Sequence, residues 1–177
     1  MMVLNCLMVG TGEYTTGYSP SSTTASDKSA GVVGITLFDL KRRGKVGVVG
    51  LCGVNGTKFP AIRKHLAHQI GTKYKDMNCE TITFPEDGVV DPLSYVRALD
   101  HFEAGDAVTV FTPDDTHFEI TLAAIKRGMH VLTTKPLVKT IEEHLELCKA
   151  AKENNVLVMC EVHKRFDPIY ADASKFD

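Results

Sequence analysis

Gly10 and Gly12 stand one residue apart, directly after the apolar run Met2 to Val9. Glycines at that point let the backbone turn tightly and come close to a pyrophosphate, while amides at a helix start supply donors to it. The spacing G-x-G-x-x-G is not completed. Thr15 stands where the third glycine belongs, and Gly17 comes two residues late. A tight structural turn would also explain two such glycines; their place after the first strand of a strand-helix-strand unit favours the phosphate-binding reading.

A second cluster follows the next apolar strand, in Cys52-Gly-Val-Asn55-Gly-Thr-Lys58. A site that prefers NAD usually carries Asp or Glu here, to bind the ribose hydroxyls. No carboxylate is present. Asn55 can still address a hydroxyl, and Lys58 with Arg63 can neutralise a ribose phosphate, which tilts the cofactor from NAD toward NADP. Solvated surface cations are the competing reading of both basic residues.

Two more groups fall at strand ends. Thr112-Pro113-Asp-Asp-Thr116-His117 follows the run Asp106 to Phe111, and Thr134-Lys135-Pro136 follows Met129 to Thr133. Ligands of open α/β sheets collect at the carboxyl edge of the strands. His117 can face cofactor or substrate there; the competing reading is that it only sits in the first turn of its helix. A lysine in that position can hydrogen-bond a substrate oxygen, stabilise a developing alkoxide or relay a proton. Gly12, Pro113 and Lys135 are thus expected along one rim. His65 and His68 lie three apart on an expected helix but lack a third ligand, so no metal site is read from them. Cys6, Cys52, Cys79, Cys148 and Cys160 form no C-x-x-C pair and read as reduced, mostly buried thiols.

These groups need a scaffold that delivers strand ends to one edge. Strands are expected at Met2–Val9, Val46–Cys52, Glu80–Phe84, Asp106–Phe111, Met129–Thr133 and Val156–Val162. Helices are expected at Gly31–Arg43, over 59–69, from Asp91-Pro92 to Phe102, after Thr116 to Gly128, and after Thr140 to Asn154-Asn155. Thr116…Glu119 and Thr140…Glu143 both read as capping boxes. Val32, Ile35, Leu37, Phe38 and Leu40 would form the apolar side of one helix, and Ile141, Leu145, Cys148 and Ala151 that of another. Gly47 and Gly50 weaken their strand. Thr15 to Ser29 is Ser/Thr-rich and too long for an ordinary connection, so it reads as a surface insertion, with a functional segment over the site as the alternative. The sum is two βαβαβ halves: α/β, a doubly wound parallel sheet of the Rossmann kind.

Bulk properties agree. The 177 residues fit one domain, and 44% hydrophobic with 24% charged residues suits a packed core. A formal net charge of -2 gives no sign of a nucleic-acid partner, and no run has the length of a membrane span. With no basic leader before the first strand, the cytoplasm is the expected location.

Asp106-Ala-Val-Thr-Val-Phe-Thr-Pro113, His117, Ala124, Gly128, His130-Val131, Lys135-Pro136 and the stretch Val156 to Pro168 together resemble the Gfo/Idh/MocA oxidoreductases. The resemblance covers nearly the whole chain and is most specific over 106–168. It implies hydride transfer between NAD or NADP and a sugar, polyol or sugar acid, and its style is similar to the D-galacturonate-reductase-like branch. It implies Lys135 and His117 as catalytic residues. Cofactor contacts are implied at Gly10, Thr11, Gly12, Glu13, Tyr14, Asn55, Lys58, Thr112, Pro113, Thr134, Lys135 and Arg165. It also implies residues 1–168 as the NAD(P)-binding domain, with 169–177 opening a helix toward a second, substrate-binding domain that this chain lacks. The partners implied are a dinucleotide and a small sugar-like substrate, with no nucleic acid and no membrane, and room is left for a homo-oligomer. Thr134 departs from the family's usual Glu, and the Gly-rich loop is stretched.

Two other readings compete. A non-catalytic dinucleotide-binding module would fit the modified Gly-rich loop. A Rossmann-like methyltransferase also uses glycines after its first strand, but Lys135-Pro136 and Thr112-Pro113…His117 argue against it. A P-loop nucleotidase is excluded, because G-K-[ST] does not occur in the required context.

Overall fold

Apolar runs that alternate toward two helical layers build the centre. In the computed structural model, which describes residues 3–20, 28–75 and 77–173, the strands are β1 (Leu4–Val9), β2 (Val46–Cys52), β3 (Ile82–Phe84), β4 (Ala107–Val110), β5 (His130–Thr134) and β6 (Val158–Glu161). They form one sheet in the order β3-β2-β1-β4-β5-β6, and every neighbouring pair is parallel. The chain runs outward from β1 to β3 and then returns to the other side of β1, so β1 and β4 meet where the direction of winding reverses.

The helices are α1 (Glu13–Thr16), α2 (Val32–Arg42), α3 (Phe59–Leu66, continued by a π turn at Ala67–Gly71), α4 (Ser94–Asp100), α5 (His117–Ile125), α6 (Ile141–Glu153) and α7 (Pro168–Ala173). One face of the sheet packs Leu7, Val9, Val108 and Val131 against Leu99, Ile125 and Leu147. The other packs Cys6, Met8, Val49 and Leu51 against Phe38, Ile62 and Leu66. Adjacent residues of β1 therefore serve opposite layers, as burial on both faces of a parallel sheet requires. Each such Leu or Phe contributes about 1.5–3 kcal/mol by leaving water.

Local signals held in several places. Thr140 caps α6 through a full capping box with Glu143, and Asn155 takes a positive φ of 52° just past its end. Gly128, at φ 73°, stops the turn after α5. Others gave way. Thr116 makes no cap: a 3₁₀ turn over Asp114–Thr116 precedes α5, and the Thr116 hydroxyl bonds Thr112 Oγ1 and the Pro113 carbonyl instead. Helix α4 starts at Ser94, later than Asp91-Pro92 suggested. In α2 the buried stripe is Val33, Gly34, Leu37 and Phe38, with Val32 turned outward. In α6 the sheet takes Leu147 and Ala150, while Ile141 and Leu145 are 62% and 61% exposed.

The amino edge of the sheet is tied by polar side chains. The register of β1 on β2 shifts between Leu4 and Cys6. Asn5 sits in that irregularity, and its Oδ1 accepts from the Val48 amide at 2.8 Å. The Asp106 carboxylate, next to β4, accepts from the Asn5 amide at 2.7 Å and from the Glu103 amide at 3.0 Å. Gly47 supplies the space: a Cβ there would lie 2.8 Å from Asn5 Oδ1. Among the described residues, no helix is long and apolar enough to cross a membrane.

Candidate functional site: a cleft at the carboxyl edge

Where β1 and β4 diverge, the loops after β1, β2 and β4 enclose a cleft of about 690 Å³. That volume lies in the range of small-molecule and cofactor sites, and the position is the one at which doubly wound sheets bind ligands.

The loop after β1 forms one wall through Gly10, Thr11, Gly12 and Glu13. Its two glycines do different work. Gly10 has φ 118°, and a Cβ on it would strike the Phe111 carbonyl, so it permits the close approach of the β4 loop. Gly12 has an ordinary φ of -73°, and a Cβ on it would meet no atom within 4 Å. Its bare α-carbon opens onto the space that a pyrophosphate needs. This is the observation by which the site fits a dinucleotide.

The unfinished glycine pattern has a structural explanation. The first helical turn, α1, ends at Gly17, and α2 begins after Gly31. Gly17 and Gly31 lie against each other: a Cβ on Gly31 would be 2.5 Å from the Thr15 carbonyl oxygen and 2.8 Å from the Gly17 nitrogen. The close contact that a third glycine would have allowed is made by Gly31 on the partner helix. Thr15 itself is buried. Of the Thr15 to Ser29 insertion, residues 21–27 lie outside the described residues. Its near end, Tyr18-Ser19-Pro20, lines the cleft.

The loop after β2 supplies Gly53, Val54, Asn55 and Lys58. Asn55 Oδ1 accepts from the Thr57 amide at 3.0 Å and from its hydroxyl, capping the short turn before α3. This leaves the Asn55 NH2, a donor, as the group suited to a ribose hydroxyl or phosphate. Arg63 is committed elsewhere, paired with Asp87 through both guanidinium nitrogens and reaching Thr83. That pairing holds the Asp87 carboxyl below its ordinary value. Arg63 is not among the residues lining the cleft, whereas Lys58 is.

The apolar wall was not visible in the sequence. Val54 and Leu93, 51% and 61% exposed, line the cleft with Tyr95 and Ile120. Such a wall suits the flat face of a purine. Ser94 is buried, and its hydroxyl donates to the Gly53 carbonyl at 2.9 Å, fixing the β2 loop. Cys52 at the cleft floor has its thiol pushed up to about 11 by burial, so it remains protonated and inert near neutral pH. Glu119, expected in a capping box, lines the cleft as well.

The β4 loop contributes Thr112, Pro113 and Thr116. His117 does not face the cleft. It is fully buried, with Nδ1 2.8 Å from the Pro136 carbonyl oxygen and Nε2 2.9 Å from that of Thr112. It joins the β4 loop to the β5 loop. Lys135, exposed, stands on the β5 loop beside it, outside the cleft lining, and the Lys135–Pro136 peptide is cis. Thr134 Oγ1 lies 3.5 Å from Glu161 Oε2. Tyr14 stacks on Phe111 with ring centroids 5.4 Å apart, and burial, then the Glu161 charge, raise its phenol. Arg165 is exposed on the turn after β6. Of the expected cofactor contacts, eight therefore line the cleft, from Gly10 through Glu13 and at Asn55, Lys58, Thr112 and Pro113, while Tyr14, Thr134, Lys135 and Arg165 do not. Among the described residues, no group of three or more His, Cys, Asp or Glu is placed to hold a metal.

Known proteins resemble this chain in sequence and in fold. A scyllo-inositol 2-dehydrogenase (NADP(+)) of Bacillus subtilis is 34% identical over 127 residues, which is 70% of this chain and 34% of that protein. A scyllo-inositol 2-dehydrogenase (NAD(+)) of the same organism is 36% identical over 70 residues, 40% of this chain and 20% of that protein. The chain thus spans about a third or less of these relatives. Among solved structures, the WlbA dehydrogenase from Bordetella pertussis in complex with NADH and UDP-GlcNAcA superposes with a TM-score of 0.60 at 18% identity, covering 93% of this chain and 36% of that one. The family model for Gfo/Idh/MocA, described as an oxidoreductase family with an NAD-binding Rossmann fold, matches residues 4–162. A parallel sheet wound in this order, a glycine-lined cleft at its reversal point and a family match over nearly the whole length lead to one conclusion: the chain belongs to the Gfo/Idh/MocA oxidoreductases and comprises their NAD-binding Rossmann domain.

Proposed function

We propose that this chain is the dinucleotide-binding part of an oxidoreductase that transfers hydride between a nicotinamide cofactor and a sugar, polyol or sugar acid. The carrying observation is the single cleft in which Gly12, Asn55 with Lys58, and Pro113 converge. When bound, the nicotinamide supplies the hydride chemistry; the chain's residues hold and orient it. The backbone around Gly12 accommodates the pyrophosphate. Asn55 NH2 and Lys58 address the adenosine ribose, and their donor and cationic character favours NADP over NAD. Val54 and Leu93 flank the purine. Relatives named for NAD(+) and for NADP(+) both occur, so the preference rests on these side chains.

Lys135 is the residue we assign to the substrate oxygen, where its ammonium group donates a hydrogen bond and stabilises developing negative charge. His117 holds that loop in place. The sugar-like substrate class is supported by relatives named for inositol and for 1,5-anhydro-D-fructose. Fluorescence titration with NADPH and NADH tests the reading: saturable binding is expected, tighter for NADPH, and absence of binding by either would overturn it.

A non-catalytic dinucleotide-binding module is the second reading. It is favoured by the exposure of Lys135 outside the cleft. Oxidation of inositols with NADP(+) as the hydride acceptor separates the two: turnover lost in Lys135→Ala supports the enzyme, and cofactor binding without turnover even when a relative's substrate domain is joined to the chain supports the module.

A further inference from the structure

The insertion between α1 and α2 leaves and re-enters the fold at one point, the contact of Gly17 with Gly31. The two described ends of the insertion, at Tyr18 and at Ser29, are both fastened to α3. Tyr18 sets its ring edge against His65, with centroids 5.9 Å apart. His65 Nε2 donates to the Ser29 carbonyl at 2.7 Å. One imidazole therefore grips both the outgoing and the returning segment. Lys28, on the returning side, lies over the Tyr14 ring at 5.6 Å.

Position follows from the fastening. Helix α3 begins directly after Lys58, so a strap held on α3 stands on the side of the cleft that carries Asn55 and Lys58. Tyr18, Ser19 and Pro20 line that cleft. We propose that Tyr18-Ser19-Pro20 is a fixed wall that grips the adenosine half of the dinucleotide and raises its affinity, with His65 as the residue that positions it. This rests on the dinucleotide reading above and deepens it. The wall stands on the α3 side, next to Asn55 and Lys58, so it is placed to act on the adenosine half.

The test uses Tyr18→Ala, His65→Ala and a chain in which residues 18–30 are replaced by two glycines. Affinities for NADPH, NADH, adenosine 2′,5′-bisphosphate and nicotinamide mononucleotide are measured by titration or competition, and thermal unfolding is followed alongside. Loss of one aromatic contact predicts roughly three- to tenfold weaker binding of both dinucleotides and of the adenosine bisphosphate. Nicotinamide mononucleotide should bind unchanged, and Tyr18→Ala, which also loses packing on the core, should stay folded at the titration temperature with a lowered thermal midpoint. Unchanged dinucleotide affinity in Tyr18→Ala, or an equal loss for nicotinamide mononucleotide, overturns the wall. A wild-type chain that binds neither dinucleotide overturns the functional reading beneath it as well.

Discussion

His117 holds Pro136: its Nδ1 lies 2.8 Å from the proline carbonyl oxygen while its other ring nitrogen meets the Thr112 carbonyl. The ring is a strut between two loops that reach the same edge of the sheet. His117→Ala removes a buried ring and strands two carbonyls, and should cost about 2–4 kcal/mol of stability in urea unfolding. His117→Phe restores volume without hydrogen bonds and should recover only part of that. A His117→Phe protein as stable as wild type would show that the strut carries nothing.

Gly10 and Gly12 should respond oppositely to alanine. Gly10→Ala places a Cβ at φ 118° against the Phe111 carbonyl and should destabilise by about 2 kcal/mol or more. Gly12→Ala should leave the unfolding midpoint within experimental error, because nothing stands within 4 Å of its new methyl group. Dinucleotide affinity, read by titration, should fall roughly tenfold for Gly12→Ala as that methyl occupies the pyrophosphate's space.

Lys58→Ala separates the two cofactors. NADPH binding should weaken by roughly tenfold and lose salt dependence, since an exposed cation acts on a phosphate through a screened field. NADH binding should change less than about twofold. Equal losses for both would show that Lys58 does not read the ribose phosphate.

The buried thiols predict an alkaline limit. Burial raises Cys6 to about 12 and Cys52 to about 11, against an ordinary thiol value of 9.0. The folded state keeps these protons while the unfolded chain releases them. The stabilisation is therefore complete below pH 9 and is lost progressively from there to about pH 11–12. Denaturant midpoints should fall over that window, and less steeply in Cys6→Ala. At neutral pH a thiol reagent should modify exposed Cys148 well before Cys6 or Cys52.

Strands and their parallel pairing were legible because short β-branched runs ended at Gly and Pro, and because helices alternating with strands dictate parallel pairing. What failed was decided by partners far away in the chain. Periodicity alone could not choose between the Ile141–Leu145 stripe and the Leu147–Ala150 face of α6; the sheet chose the latter. Arg63 looked available until Asp87, on the loop after β3, took it. Thr116 had the right spacing for a cap, but a 3₁₀ turn before it redirected its hydroxyl. The glycine loop, Asn55, Lys58 and Thr112-Pro113 could be read because each follows a strand directly. Tyr18-Ser19-Pro20 belongs to the long Ser/Thr-rich insertion, whose length was the signal for a segment over the site, whereas Leu93 and Ser94 reach the cleft from the start of α4, whose sequence carries no such marker.

Asn5 and Asp106 lie at the end of the sheet remote from the cleft, where they knit β2, β1 and β4 together. Alignment of the three central strands is thus secured by an anchor that takes no part in ligand contact. The loops on the far rim are released from any duty of keeping the strands in step. They can lengthen, as the segment after Gly17 has, or be exchanged for others with different selectivity, while the frame beneath them stays put.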